Sequence, residues 1–366
     1  MTWGSITLGD IAVHGGGSVD PRKFPSEVFE LYSIPAFDQG TPETVPGSEI
    51  GSAKKLVQPD DVMVSRIVPH IRRAWVVGPK NSYRQIASGE WIVFRSDKVW
   101  PQYLRWILVG DMFHAAFMQT VSGVGGSLLR ARPAEVFKIK IPVPPLAEQK
   151  RIAAILNAAD TLRIKRHESL RQLDILLQST FLHMFGDPVT NPKGFIRCNL
   201  GNIFSFRTGK LDSNAAIKGG QYPFFTCSRE TFSIDEFAFD CEALLLSGNN
   251  ANADYSVKYF KGKFNAYQRT YVITVDEKKL NYEYSRLALE FLLADLKHFS
   301  KGSNTKYLTM VILNKMPILL PPLDLQHHFA TIVESVEKQK TRLRAHLTEL
   351  DALFASLQAR AFNGEL

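Results

Sequence analysis

Two stretches of the chain carry a long helical pattern. From Leu146 to Met184 there is no proline or glycine, and apolar residues recur at Ile152, Ile155, Ala159, Leu162, Leu170, Leu173, Leu176, Leu177 and Phe181. The second stretch is more regular. Val336, Leu343, Leu350 and Leu357 fall every seven residues, with Ile332, Val333, Leu347, Leu353 and Phe354 beside them. Such spacing predicts two long helices with coiled-coil-like seams. Seam positions are expected at Ile155, Leu162, Leu173 and Leu176 in the first, and at Val336, Leu343, Leu350 and Leu357 in the second. Each helix follows a Pro-Pro pair, which stops a preceding strand and suits a helix start because proline has no N–H to donate. Each ends at a glycine-containing exit, Gly186-Asp187-Pro188 or Asn363-Gly364. One helix of this length cannot bury its seam alone. Packing of the two as an antiparallel coiled coil is the economical solution. The alternative, a helical hairpin inside one domain, has about 130 residues of strand-rich sequence between the helices against it.

The remaining sequence forms two blocks of short β-type runs. Asp61–Ser65, Ala74–Gly78 and Glu90–Phe94 lie in the first, and Glu242–Leu246, Tyr255–Phe260 and Thr270–Val275 in the second. A helical stretch follows in each, near Pro101–Met118 and Tyr282–Lys297. Then come a glycine-containing loop (Ser122–Ser127; Lys301–Asn304) and a strand leading into Pro-Pro. The pattern predicts α+β domains over 1–143 and 188–320, with helical regions over 144–187 and 321–366.

This order is an internal repeat. A shift of 177 positions lays Pro144-Pro145-Leu146-Ala147-Glu148-Gln149 over Pro321-Pro322-Leu323-Asp324-Leu325-Gln326, and the register holds without a gap to Phe185 over Phe362. Twelve of those 42 positions are identical, among them Asp174/Asp351 and Leu176/Leu353. Average composition gives about two or three by chance. A weaker echo, Trp3-x4-Leu8-Gly9-Asp10-Ile11 against Phe195-x4-Leu200-Gly201-Asn202-Ile203, stands at a shift of 192. A pseudo-two-fold repeat follows, with the two chain ends meeting in space.

Composition narrows the class. The chain has 366 residues, 45% hydrophobic and 22% charged, which excludes disordered and collagen-like chains and suits two or three domains. Its net charge of +8 (44 basic, 36 acidic) is compatible with a polyanionic partner without requiring one. Cys198, Cys227 and Cys241 have no CxxC spacing, so neither a disulfide framework nor a zinc knuckle is expected. The opening residues have no basic region followed by an apolar one, so no signal peptide is expected, and no apolar run approaches the ~18 residues of a membrane span. A cytoplasmic protein is expected.

Polar and basic segments lie between the strands. The first block has Arg66, Arg72 and Arg73 within Arg66–Arg73, then Arg84 and Gln85. The second has Asn249, Asn250 and Asn252 within Ser247–Asn252, then Tyr267, Gln268 and Arg269. Arginine binds guanine bidentately and Asn or Gln binds adenine, so these are candidate base readers. Lys258, Lys261 and Lys263 are candidates for phosphate contacts. Turn chemistry alone also accounts for Gly and Asn clusters. No phosphate loop, HExxH, GxSxG or metal-ligand spacing is present, and the only Asn-Pro is Asn191-Pro192. A binding protein is favoured over an enzyme, and no catalytic residue or metal site is expected.

The doubled order resembles the specificity subunit of type I restriction–modification systems. The likeness rests on Ile141-Pro-Val-Pro-Pro-Leu-Ala-Glu-Gln149 and Ile318-Leu-Leu-Pro-Pro-Leu-Asp-Leu-Gln326, and on the helix tails from Leu173-Asp174 to Phe185-Gly186 and from Leu350-Asp351 to Asn363-Gly364. The stretch Gly262–Tyr271 is similar to a recurrent recognition-domain segment, while Asp324-Leu325-Gln326 followed by His327-His328 departs from the more usual Glu-Gln plus basic pair. The resemblance implies two target-recognition domains and two coiled-coil helices. It implies a non-catalytic subunit that reads a bipartite, asymmetric target in double-stranded DNA. That subunit would recruit two methylation subunits and, through them, restriction subunits. S-adenosylmethionine would belong to the methylation partner, with no cofactor in this chain and no membrane partner. A helix of about 38 residues is roughly 57 Å long, enough to hold two readers one DNA turn apart. The competing class is a non-catalytic coiled-coil scaffold for a protein or carbohydrate ligand.

Overall fold

A computed structural model describes residues 3–123, 129–250, 255–296 and 306–366, with backbone alone at 250, 295, 296, 306 and 307. The chain forms two compact units. The first comprises Met1–Arg166 and His346–Leu366, the second His167–Ala345. The long helices run Leu146–Phe185 and Leu323–Asn363, so each gives one half to each unit.

Each unit is closed by pairing its first strand with its last. Gly4–Thr7 pairs antiparallel with Lys140–Val143, and Ile196–Asn199 with Pro317–Leu320. The central strand of each is a continuous buried apolar run, Val62–Ser65 or the Ala243–Ser247 part of Phe239–Ser247, as expected for a strand covered on both faces. In the first unit Val62–Ser65 lies between Ala74–Val76 and Trp91–Phe94. In the second, Phe239–Ser247 lies between Val257–Ala266 and Thr270–Val275.

The units differ where the second has one ten-residue strand, Val257–Ala266, and the first has two short ones, Ala74–Val76 and Arg84–Ala87. Pro79 stands between the short strands and cannot donate to a ladder, so the strand breaks there and its second part joins another sheet. The helical stretch of the first block is also divided. Pro101–Val109 and Asp111–Gln119 meet at Gly110, whose extended ψ of 157° ends one helix and starts the next.

The Pro-Pro-Leu-x-x-Gln motif has a structural cause. Gln149 is buried, accepts from the Trp100 N–H at 2.7 Å, and donates to the carbonyls of Lys98 and Pro144 at 3.0 and 2.8 Å. Gln326 repeats this, accepting from the Asn281 N–H at 2.7 Å and donating to the Lys279 and Pro321 carbonyls at 3.0 and 2.8 Å. Each glutamine thereby ties the start of a long helix to the start of its unit's shorter helix. Tyr103 and Tyr284 add a second repeated tie, donating to the carbonyls of Pro142 and Leu319. The weaker echo near the start of each block also has a cause. Leu8 and Leu200 are fully buried, and their N–H groups donate to the Ile139 and Met316 carbonyls, both at 2.9 Å.

Within the first unit, Ile152, Ala153 and Leu156 of the first helix share a core with Ala361 of the second, and Trp106 lies against Phe354. Within the second unit, Leu177, Phe181 and Phe185 share a core with Phe329, Val333 and Val336. The helices therefore run antiparallel where they meet. The repeated aspartates mark the contact: Arg163 pairs with Asp351 at 2.7 Å and Lys340 with Asp174 at 2.8 Å. Arg163 and Lys340 are themselves 177 positions apart, so one ion pair is made twice.

The seam differs from the expected one at two positions. Leu162 and Leu176 are 53% and 48% exposed. Counting in alternating steps from Ile152, Leu156 and Ala159 reaches Arg163 and Arg166, then Leu170, Leu173 and Leu177, and these are the buried or half-buried residues. Polar residues occupy the middle of the seam because Arg163 both pairs with Asp351 and lies 4.6 Å over the Phe354 ring. Apolar identity alone therefore pointed one residue off the contact face at each place. Val336 is buried, and Ile155, Leu173, Leu343, Leu350 and Leu357 are half-buried. The chain ends come together as expected, with the Trp3 ring beside Gly364. Among the described residues no helix is long and apolar enough to cross a membrane.

Candidate nucleic-acid interface

In each unit the central strand ends where three segments meet, and their backbone bonds correspond one to one. In the second unit the Gly248 N–H donates to the Arg269 carbonyl at 2.8 Å, and the Leu308 N–H to Gly248 at 2.9 Å. Thr270 donates to Tyr267 at 2.8 Å, and Tyr267 to Phe225 at 2.9 Å. In the first unit Arg66 donates to Glu90 at 2.9 Å and Ala131 to Arg66 at 2.8 Å. Trp91 donates to Ser88 and Ser88 to Tyr32, both at 3.1 Å. Strand register agrees, since Ser65 opposes Trp91 as Ser247 opposes Thr270. Residues 66 and 248, 90 and 269, and 130 and 307 therefore occupy equivalent places. The first-unit counterpart of Gln268-Arg269 is Gly89-Glu90. The candidates Arg84 and Gln85 lie five residues before that pair, on the preceding strand Arg84–Ala87.

The second-unit junction is an open cleft of about 440 Å³ lined by Thr208, Gly248, Gln268, Arg269, Tyr271 and Met310 among others. Gln268 and Arg269 are exposed at its rim. Gln268 Nε2 reaches Asp212 Oδ2 at 3.4 Å, and its N–H donates to the Leu211 carbonyl. A neighbouring cleft carries Arg207, Lys210, Phe239 and again Thr208 and Met310. Gly209 holds this loop against the turn that follows Ala266. A Cβ there would stand 1.7 Å from the Ala266 carbonyl oxygen, so only glycine permits the approach. Arg207, Thr208 and Lys210 were not among the sequence candidates. The Arg-Thr-Gly-Lys run was a readable signal only with knowledge of which turn it abuts.

The other second-unit candidates are dispersed. Asn249 pairs through its backbone with Tyr307, and its side-chain Oδ1 is buried without a hydrogen bond. Asn250 pairs with Lys306, and Asn252 lies outside the described residues. Lys258 turns inward, donating to the Ser228 and Glu230 carbonyls at 2.9 and 2.7 Å, and burial lowers its pKa. Lys261 pairs with Glu242 at 2.7 Å, a hydrogen bond that raises its pKa. Lys263 lies 4.6 Å over the Phe237 ring. None of the three lysines lines the cleft. Tyr267 is half-buried at the turn.

The first-unit candidates are bound to acidic partners. Arg73 chelates Asp38 at 2.7 and 2.8 Å, Arg72 pairs with Asp111, and Arg84 with Glu27 while lying over Phe24. Gln85 is buried and donates to Glu30 at 2.7 Å. Arg66 alone sits at the junction. Its Nε donates to Glu90 Oε2 at 3.0 Å. Arg130 approaches the same carboxylate with Nη2 to Oε1 at 3.3 Å and Nε to Oε2 at 3.4 Å. Burial opposes the charge on Glu90, but hydrogen bonds from Arg130 and Arg66 outweigh it and hold the carboxyl below the ordinary glutamate value.

The comparisons with known proteins agree with this doubled plan. A family model described as the type I restriction modification DNA specificity domain matches residues 112–173 and 192–350. The specificity subunit of the type I restriction enzyme EcoDI from Escherichia coli is 36% identical over 171 residues, 46% of this chain and 37% of that protein. A putative type I specificity subunit from Mycoplasma pneumoniae is 28% identical over 208 residues, 55% of this chain and 84% of its own. Two solved structures share the fold. The S subunit of a type I restriction-modification system from M. genitalium aligns over 99% of this chain and 96% of its own, with a TM-score of 0.64 at 14% identity. A chain from a study of the assembly and conformational transition of a type I R-M system aligns over 100% and 98%, with a TM-score of 0.56 at 21% identity.

Proposed function

Because the chain belongs to the type I restriction-modification DNA specificity family, we propose that it is the non-catalytic reader of a bipartite DNA target, one half-site per unit. The carrying observation is the junction made twice on one backbone pattern with different side chains at its rim. Equal backbones place two readers alike, and unlike side chains make the two half-sites unlike. Arg207, Lys210, Gln268 and Arg269 in the second unit, and Arg66 in the first, supply the groups that match phosphates and base edges.

The methylation and restriction subunits would be the protein partners, and S-adenosylmethionine would bind in the methylation subunit. The repeat supports two equivalent docking places for that subunit. Leu176 and Leu353, identical under the 177-residue shift, are 48% and 49% exposed on the long helices, one in each unit. Exposed apolar side chains repeated at equivalent positions suit a protein partner rather than DNA.

The test is co-expression with a methylation subunit and mapping of methylated adenines. A split motif with constant spacing is the expected result. Binding of the chain should also weaken steeply with salt, as phosphate contacts require. Salt-independent association with DNA, or methylation without a motif, overturns the reading.

A further inference from the structure

At the first-unit junction Arg66, Glu90 and Arg130 form a side-chain cluster, where the equivalent positions of the second unit are Gly248, Arg269 and Tyr307. One carboxylate, Glu90, is shared by two arginines, Arg66 and Arg130, whereas Arg72, Arg73 and Arg84 each have a carboxylate partner of their own. The cluster therefore keeps a net positive charge at the mouth of the junction. Arg66 engages Glu90 through Nε alone, while Arg130 uses both Nε and Nη2. The Arg66 side chain is 34% exposed, so its guanidinium is not sealed in the core.

We propose that Arg66 reads a guanine in one half-site, and that Glu90 and Arg130 are positioning residues that hold its guanidinium edge-on to the base. The inference rests on the DNA-reading function above. A guanidinium anchored by Nε keeps its two Nη groups for the O6 and N7 of guanine, the bidentate pairing that separates G from the other bases. Anchoring also removes rotamer freedom before binding, which lysine cannot match because its ammonium has no planar fork. In the second unit the position of Arg66 is Gly248, which offers no side chain at that place. There the reading groups come from the turn itself, Gln268 and Arg269, with Arg269 standing where Glu90 stands in the first unit. The two units thus read from different edges of one junction: the first from the strand end, the second from the turn.

The experiment is selection by the full chain from a duplex library randomised in both half-sites across a range of spacers. Wild type is expected to enrich a bipartite motif with an essential guanine in one half. Arg66→Ala should abolish preference at that base pair alone, with affinity for the wild-type motif falling about 5- to 150-fold. The other half-site should be unchanged. Arg66→Lys should lose the same guanine while keeping the salt dependence of wild type. Glu90→Gln should relax discrimination at the same base pair less severely, and Glu90→Asp should restore it. Thermal melting of each variant reports folding independently. A folded Arg66→Ala or Arg66→Lys chain that enriches the wild-type motif at every position overturns this assignment and leaves DNA reading intact. Failure of wild type to enrich any motif overturns DNA reading itself.

Discussion

The two junctions share a backbone pattern and differ in the side chains at their rims. Arg66, Glu90 and Arg130 fill the first, whereas Gly248 leaves the second open and Arg269 sits at its edge. Such a division is physically economical. The backbone bonds depend only on strand direction and turn length, so they survive wholesale replacement of the side chains they position. The rim side chains stand at the ends of buried strands, where substitution disturbs the core little.

If the shared scaffold carries the stability, its repeated parts should be equally costly to remove. Gln149→Ala and Gln326→Ala each abolish three hydrogen bonds, one buried and two part-buried, and orphan a backbone N–H. Each should cost about 3 kcal/mol in denaturant unfolding monitored within its own unit. Values differing by more than about twofold between the units would show that the repeat is one of sequence more than of energetics.

The open junction predicts a sharper asymmetry. A Cβ on Gly248 would lie 2.5 Å from the Arg269 carbonyl oxygen and 3.0 Å from the Tyr271 ring. Gly248→Ala should therefore destabilise the second unit by about 2 kcal/mol through overpacking. Arg66→Ala at the equivalent place should cost about 1 kcal/mol or less, because the ion pair is partly exposed. Equal melting shifts for the two variants would contradict the equivalence of these positions.

Acid should erase part of what distinguishes the first junction. With its pKa held below the ordinary glutamate value by Arg130 and Arg66 against burial, Glu90 stabilises the fold fully above the unfolded value of about 4.3. That contribution is lost as pH falls through the lower folded value. The melting-temperature gap between wild type and Glu90→Gln should be constant from about pH 8 to pH 5 and shrink progressively as pH falls below the unfolded value of about 4.3. A gap that widens in acid would mean that the carboxylate is not charge-paired.

The smallest expected effect on stability lies on the long helices. Leu176→Ala and Leu353→Ala should each change stability by about 0.5 kcal/mol or less. Both should reduce co-purification of a methylation subunit, the double variant more than either single one. A large loss of stability would place these leucines in the seam after all.

The repeat, the two long helices and their boundaries were legible in the chain because periodicity and Pro-Pro punctuation are local signals. The shared Gln149 and Gln326 were visible as identities, yet their work as ties to Trp100 and Asn281 was not, since those partners lie 49 and 45 residues away. Leu162 and Leu176 illustrate the limit within a helix. Residue type named them as seam, while the anchoring cores at the two ends set a phase that passes through Arg163 and Arg166. At the candidate site, Gln268 and Arg269 were named from type and turn context, and the fold places both in the lining of the second-unit cleft. Arg84, Arg73 and Arg72 look equally available on paper, and only the folded chain supplies Glu27, Asp38 and Asp111 as their partners.

By itself the amino-acid sequence determined how many times the plan is used, where the helices begin and end, and which family the pattern resembles. Hydrophobic period, proline and glycine act over a few residues and need no knowledge of neighbours. The tertiary structure alone decided which cations are taken up by carboxylates and which residues are equivalent across the repeat. Both depend on side chains brought together from distant segments. The Arg66–Glu90–Arg130 cluster joins three positions spread over 64 residues, and no local pattern encodes a contact of that kind.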